Sequence, residues 1–249
     1  MLQGCLNGAR PVDAHPALPV TPYELARDAR VMARHGVSSV HVHPRCSAGL
    51  ETLNPMPVGD AVAAIHSALP GMEVGVPAAR WVEPDGQTRV EAVLAWGRLG
   101  GGMPDVISVN VHDMGWREVC AAAHSSGMGI ELGVWTTGDA VTIRNAGLPP
   151  GTVRLVVEPT EPGVAVDEAI RILRTLGQTG VQVLVHGEDA GVWPVFDYAR
   201  EHHLQARIGL EDTLLGRDGW LARGNEDLIE IALGLDTSVP RRRRVSRAP

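Results

Sequence analysis

The chain contains no lysine; all 22 of its basic residues are arginine. This absence excludes the Schiff-base aldolases, pyridoxal-phosphate enzymes and P-loop nucleotidases, whose chemistry needs a lysine amine. Cysteine is scarce as well. Cys5, Cys46 and Cys120 are unevenly spaced and form no Cys-x-x-Cys, as expected of free thiols in a reducing cytoplasm. No apolar run approaches the roughly 20 residues of a membrane span. The first strand is expected to begin almost at Met1, which leaves no room for a signal peptide, so a cytoplasmic location is expected. A glycine-rich dinucleotide turn is also missing, because the first strand is followed by Leu6-Asn7-Gly8-Ala9-Arg10.

The formal net charge is -7, even though Arg241 to Arg244 and Arg247 crowd the C-terminal end. The body is therefore more acidic still, and neither nucleic acid nor membrane is expected as a partner. The basic segment 236–249 reads as a solvated, disordered tail.

What is present is a repeated alternation of short apolar runs and longer amphipathic ones. Strands are expected at 2–6, 38–43, 73–77, 106–111, 130–135, 153–157, 181–185 and 206–210. Helices are expected near 21–35, 58–69, 90–99, 116–125, 138–145, 166–176, 193–202 and 225–235. The first helix is opened by Thr21-Pro22-Tyr23-Glu24, a capping box with proline at the first helical position, and Gly36 ends it. Eight strand–helix units in 249 residues, 44% of them hydrophobic, indicate a single-domain (β/α)8 TIM barrel over 1–235.

A barrel gathers its catalytic groups at the C-terminal strand ends. The polar residues there are Asn7; His41 and His43; Ser108, Asn110 and His112; Glu131; Glu158; His186 and Glu188; and Arg207, Glu211 and Asp212. His41-Val42-His43 is the most informative of these. Alternate residues of a strand share a face, so the two imidazoles point the same way and can bind one divalent ion. A catalytic site of this kind needs a third ligand. Glu211-Asp212 supplies two carboxylates, one to bind the metal and the other to take protons. Arg207 can pair with a carboxylate or grip one on the substrate.

Several stretches together resemble the β-keto acid cleavage enzymes, whose founding member cleaves 3-keto-5-aminohexanoate. They are Asn7-Gly8-Ala9, the segment from His15 to Pro22, His41-Val42-His43-Pro44-Arg45, Ser108-Val109-Asn110, Gly129 to Gly133, and Arg207-Ile208-Gly209-Leu210-Glu211-Asp212. The resemblance implies a (β/α)8 barrel, usually a homo-tetramer, with a divalent metal that is typically zinc. It implies His41, His43 and Glu211 as metal ligands, Asp212 as the group that takes up and returns protons, and Arg207 as the residue that orients it. Ser108, Asn110 and Glu131 match positions lining the substrate pocket, and Asn7 and His186 are taken with them as substrate-binding. The implied reaction joins a β-keto acid to acetyl-CoA and, by retro-Claisen cleavage, releases acetoacetate and a new acyl-CoA.

The chain departs from the family pattern at two places. Arg10 stands where the founding pattern has a glutamate that joins the Asp–Arg pair, which reverses a charge at the mouth. Pro77-Ala78-Ala79 replace a Ser-Thr-Gly-like segment, so a substrate hydrogen bond is expected to be missing. His186-Gly187-Glu188-Asp189 offers replacement polar groups. Two other functions fit the same barrel: a metal-dependent hydrolase or class II-type aldolase, and a barrel without activity that serves as a binding protein.

Overall fold

The computed structural model describes residues 1–235; the basic tail expected at 236–249 lies outside the described residues. Eight parallel strands close into a barrel in chain order. They are β1 (Leu2–Cys5), β2 (Ser39–His41), β3 (Glu73–Pro77), β4 (Val106–Asn110), β5 (Gly129–Val134), β6 (Thr152–Val157), β7 (Gln182–Val185) and β8 (Gln205–Ile208). Closure is made where Leu2 pairs with Ala206 and Gly4 with Ile208. The helices are α1 (Pro22–Arg34), α2 (Pro55–Ala68), α3 (Gly86–Trp96), α4 (Trp116–Ser125), α5 (Thr137–Ala146), α6 (Ala165–Leu176), α7 (Val192–Glu201) and α8 (Asn225–Leu233). The fold is the expected single-domain (β/α)8 barrel.

The capping box of α1 forms as expected: Thr21 N–H donates to Glu24 at 2.9 Å, and Glu24 N–H donates to Thr21 Oγ1 at 3.3 Å. Two helices start earlier than the apolar periodicity indicates. Helix α2 begins at Pro55 because Asn54 accepts from Met56 N–H at 3.0 Å, and α3 begins at Gly86 because Asp85 accepts from Thr88 N–H at 2.7 Å. Polar caps extend a helix beyond its buried face, and a search for buried faces overlooks them.

The helices pack Leu25, Met32, Val62, Ile65, Trp96, Ile172 and Leu228 against the outside of the barrel. Its inside carries a polar layer that the alternation of residues does not announce. Gln3 donates to Ser39 Oγ at 3.1 Å and to Glu131 Oε1 at 2.9 Å, Ser39 donates to Glu73 at 2.7 Å, and Arg154 pairs with Glu73 and, at 3.1 Å, with Glu131. Buried charges persist only when matched in this way. The register of β5 against β6 shifts between Ile130 and Glu131, where the partners step from Thr152 to Arg154.

Gly209, just past β8, lies against β1. A Cβ there would meet Cys5 O at 1.8 Å, a backbone atom that cannot yield without opening the seam. Gly209→Ala is therefore expected to destabilise the protein by about 3 kcal/mol or more, read as a lowered midpoint in thermal or urea unfolding.

Candidate active site at the barrel mouth

The strand ends bring a set of charged side chains to one cavity of about 400 Å3 at the C-terminal mouth. His41 ends β2, and His43 follows one pleat further on. His43 is held there by Asn7: its backbone N–H donates to Asn7 Oδ1 and its carbonyl accepts from Asn7 Nδ2, both at 2.9 Å. The two Nε2 atoms face each other at 3.2 Å, and Glu211 Oε1 lies 3.5 Å from His43 Nε2. Ligand atoms of His41, His43 and Glu211 all lie within 4.8 Å of one another. Glu211 comes this close because Gly8, at φ 55°, has no side chain; a Cβ there would sit 2.4 Å from Glu211 Cγ.

The donor set fits a divalent cation. His43 Nδ1 is paired with Glu51 Oε1 at 2.5 Å, which commits its proton to that side and leaves Nε2 aimed at His41 and Glu211. Glu211 Oε2 is buried with no hydrogen-bond partner among the described residues. A carboxylate behind a ligating imidazole orients the ring and raises its basicity. Trp81 completes this arrangement: its ring stacks on His43 at 17° with centroids 6.4 Å apart, and its Nε1 donates to Glu51 at 3.4 Å.

Charge alternates across the mouth. Arg207 Nη2 reaches Glu211 Oε1 at 2.9 Å, and its Nε donates to Asp212 Oδ1 at 3.0 Å. His186 Nδ1 lies 3.4 Å from Asp212 Oδ1, and its Nε2 lies 3.0 Å from Glu158 Oε2, although neither contact has the alignment of a full hydrogen bond. Burial lowers His41 to about 3, so this ring is neutral. Burial pulls His43 the same way, but Glu211 and Glu51 together outweigh it and raise it to about 9. His186 is likewise depressed by burial and by Arg207, yet Glu158 and Asp212 lift it to about 9. Burial alone would raise Glu211; Arg207 and the two histidines instead hold it well below the usual carboxylate range.

Of the residues singled out in the sequence, His41, His43, Glu211, Arg207, Ser108, Asn110 and Glu131 all line the cavity. Glu131 forms part of its floor, anchored to Gln3 and Arg154. Asn7, His186 and Asp212 are not on the wall; they are 0%, 2% and 1% exposed and lie behind it. Asn7 is engaged with the backbone of His43, and the other two are engaged with neighbouring charges. Arg10 is on the wall, where it bonds the backbone carbonyls of Glu211 and Asp212. Its Nε donates to Glu211 O at 3.1 Å and its Nη2 to Asp212 O at 3.2 Å and Asp189 Oδ1 at 2.6 Å, so it clamps the loop that carries both acids. Glu158 and Glu188, read from the sequence as strand-end acids at the mouth, line the cavity too, as do Trp81 and Trp135, and Glu51 backs His43; the sequence reading gave these last three no role. Glu51 sits eight residues beyond His43 with no periodic relation to it. Only the fold-back that pairs Arg45 with Glu51 brings it close.

A closed (β/α)8 barrel whose strand ends converge histidines, carboxylates and an arginine on one cavity belongs to the barrel enzymes. More narrowly, the chain is a member of the β-keto acid cleavage enzyme family, which it matches over residues 1–242. No protein of curated function matches it. Among solved structures, it resembles ObcA in a binary complex with oxaloacetate, with a TM-score of 0.66 and 16% identity, covering 88% of this chain and 63% of ObcA. The ternary complex of ObcA with a C4-CoA adduct and oxalate gives the same TM-score and coverage at 15% identity. The N-acetylmannosamine-6-phosphate 2-epimerase from Clostridium perfringens gives a TM-score of 0.57 at 11% identity over 85% of this chain and 87% of its own. At these identities the likeness is one of fold, and this chain spans only 63% of the ObcA chain.

A divalent cation at His41, His43 and Glu211 must displace the proton of His43, which is held up at about 9. Below that pH the affinity for Co2+ or Zn2+ is expected to fall about tenfold per unit, and above it to level off. Calorimetry in buffers of different ionisation enthalpy checks this as release of about one proton per ion at neutral pH.

Proposed function

We propose that the protein is a metal-dependent β-keto acid cleavage enzyme that condenses a β-keto acid with acetyl-CoA and, by retro-Claisen cleavage, yields acetoacetate and a new acyl-CoA. The observation that carries this reading is the convergence of His41, His43, Glu211 and Arg207 on one cavity in a member of that family. ObcA has been captured with oxaloacetate and with a C4-CoA adduct and oxalate, which supports a keto acid and a CoA thioester as the partners. The same reading takes zinc as the metal and a cytoplasmic homo-oligomer as the working form.

His41, His43 and Glu211 would hold the ion, which when bound supplies a Lewis acid that polarises a substrate oxygen. The remaining work falls to the protein's own groups. Glu51 fixes the ring of His43 through Nδ1. Arg207 balances the charge of Glu211 and Asp212 and presents the edge of its guanidinium to the cavity, where a substrate carboxylate can dock. Ser108 and Asn110 offer hydrogen bonds from the wall formed by β4, and Gly133 leaves room beside Asn110, where a Cβ would sit 2.2 Å from Oδ1. Trp81 and Trp135, with centroids 6.4 Å apart, form an apolar side of the cavity.

A panel of β-keto acids, incubated with acetyl-CoA and Zn2+ or Mn2+ and read by acyl-CoA mass, tests the reaction. Acetoacetate and a matching new acyl-CoA are the expected products, and His41→Ala is expected to abolish them. Hydrolysis that proceeds without any thioester would instead identify a hydrolase, and purified protein that takes up no stoichiometric metal would favour a binding barrel. Glu51→Gln is expected to weaken metal binding about 10- to 100-fold without unfolding the chain, measured by competition with a chromophoric chelator.

A further inference from the structure

Asp212 poses a physical problem for the reaction. Its side chain is completely buried, Oδ1 is occupied by Arg207 and His186, and Oδ2 is sealed in the protein without a partner. A base that takes a proton from carbon must reach that carbon. The carboxylates that do face the cavity are Glu131, Glu158, Glu188, Asp189 and Glu211. Glu131 is engaged by Gln3 and Arg154 on the floor, and Glu211 by Arg207 and His43. Asp189 is 65% exposed at the rim and paired with Arg10, and its neighbour Glu188 is an exposed rim residue.

Glu158 differs from all of these. It directly follows β6, and its side chain is only 12% exposed. Oε2 lies 3.0 Å from His186 Nε2, while Oε1 has no hydrogen-bond partner among the described residues. The other nitrogen of His186 lies 3.4 Å from Asp212. The imidazole therefore stands between a carboxylate on the wall and the sealed one behind it, within ion-pair distance of both. Arg10 is turned to the carbonyls of Glu211 and Asp212.

We propose that Glu158 is the catalytic base on the cavity wall and that His186 is the positioning residue that fixes it against the buried Asp212. This assignment rests on the keto-acid cleavage reading above. In the first step Glu158 Oε1 accepts a proton from the carbon between the keto and carboxyl groups. The electron pair of the broken C–H bond stays on the substrate as its enolate, whose carbon bonds to the acetyl carbonyl carbon while the C–S bond breaks and CoA leaves as the thiolate. The thiolate then adds to the original keto carbon, the bond between that carbon and the former enolate carbon breaks to give the new acyl-CoA, and the acetoacetate enolate takes a proton back from Glu158. Burial disfavours the charged form of Glu158, but His186 and Arg207 outweigh it, so the carboxylate is ionised and ready to accept.

Solvent deuterium exchange at that carbon, followed by NMR in D2O with holoenzyme and keto acid but no acetyl-CoA, isolates the step. The parent is expected to exchange. Glu158→Gln is expected to slow exchange about 100-fold or more, with a keto-acid dissociation constant little changed and the unfolding midpoint retained; Glu158→Asp should restore part of the rate. His186→Asn should slow exchange about tenfold or more by loosening Glu158 while leaving it present. Exchange at the parent rate in Glu158→Gln, or exchange lost in Asp212→Asn but kept in Glu158→Gln, overturns the assignment. Should Glu158→Gln not fold, full exchange in His186→Asn overturns it. A parent that neither exchanges nor cleaves any keto acid of the panel removes the functional reading itself, and the assignment falls with it.

Discussion

The mouth of this barrel depends on one buried guanidinium. Arg207 is 8% exposed, yet it faces Glu211 on one side and Asp212 on the other, both within hydrogen-bond distance. Two carboxylates so close together in a dry site would repel each other; a fixed cation between them offsets that repulsion. Arg207 lies on β8, the strand whose pairing with β1 closes the barrel. The seam of the fold and the charge balance of the site therefore rest on the same few residues. A planar fork of five donors suits this position in a way that a lysine ammonium would not.

From Arg207 the alternation of charge runs in two directions. One way it passes through Glu211 to His43 and Glu51, and the other way through Asp212 to His186 and Glu158. Each group is buried at a cost that its neighbours offset, so no member can be removed in isolation without leaving an unpaired charge. Small and polar residues hold the backbone in register around this row: Gly8 and Gly209 allow chains to touch, Asn7 locks the turn after β2, and Arg10 grips the carbonyls after β8. The cavity wall is thus built from side chains that hold one another in place.

Much of this was legible before any coordinates. The eight apolar runs announce the strands because a parallel strand buried on both faces is apolar along its length, and the polar residue at the end of each run marks the mouth. His41 and His43 could be paired because the spacing of two along a strand is local geometry. The roles of Asn7, His186 and Asp212 were not legible in the same way. A polar residue at a strand end reads as facing substrate, but whether it reaches the cavity or lies one layer behind depends on neighbours far away in sequence. Glu51 was obscured for the same reason, and Glu158, read as a strand-end acid at the mouth, could not be matched to His186, since such partners are joined by the closing of loops and strands and not by any period.

The amino-acid order by itself settled the architecture, the absence of any lysine chemistry, and the face on which the histidines and acids gather, because these follow from composition and from the two-residue repeat of a strand. Tertiary structure alone decided which of those acids look into the cavity and which are sealed beneath it. Ring closure sets eight strand ends against one another at a stagger no local pattern encodes, and ångström differences in that stagger separate a group that meets substrate from one that only holds its neighbour in place.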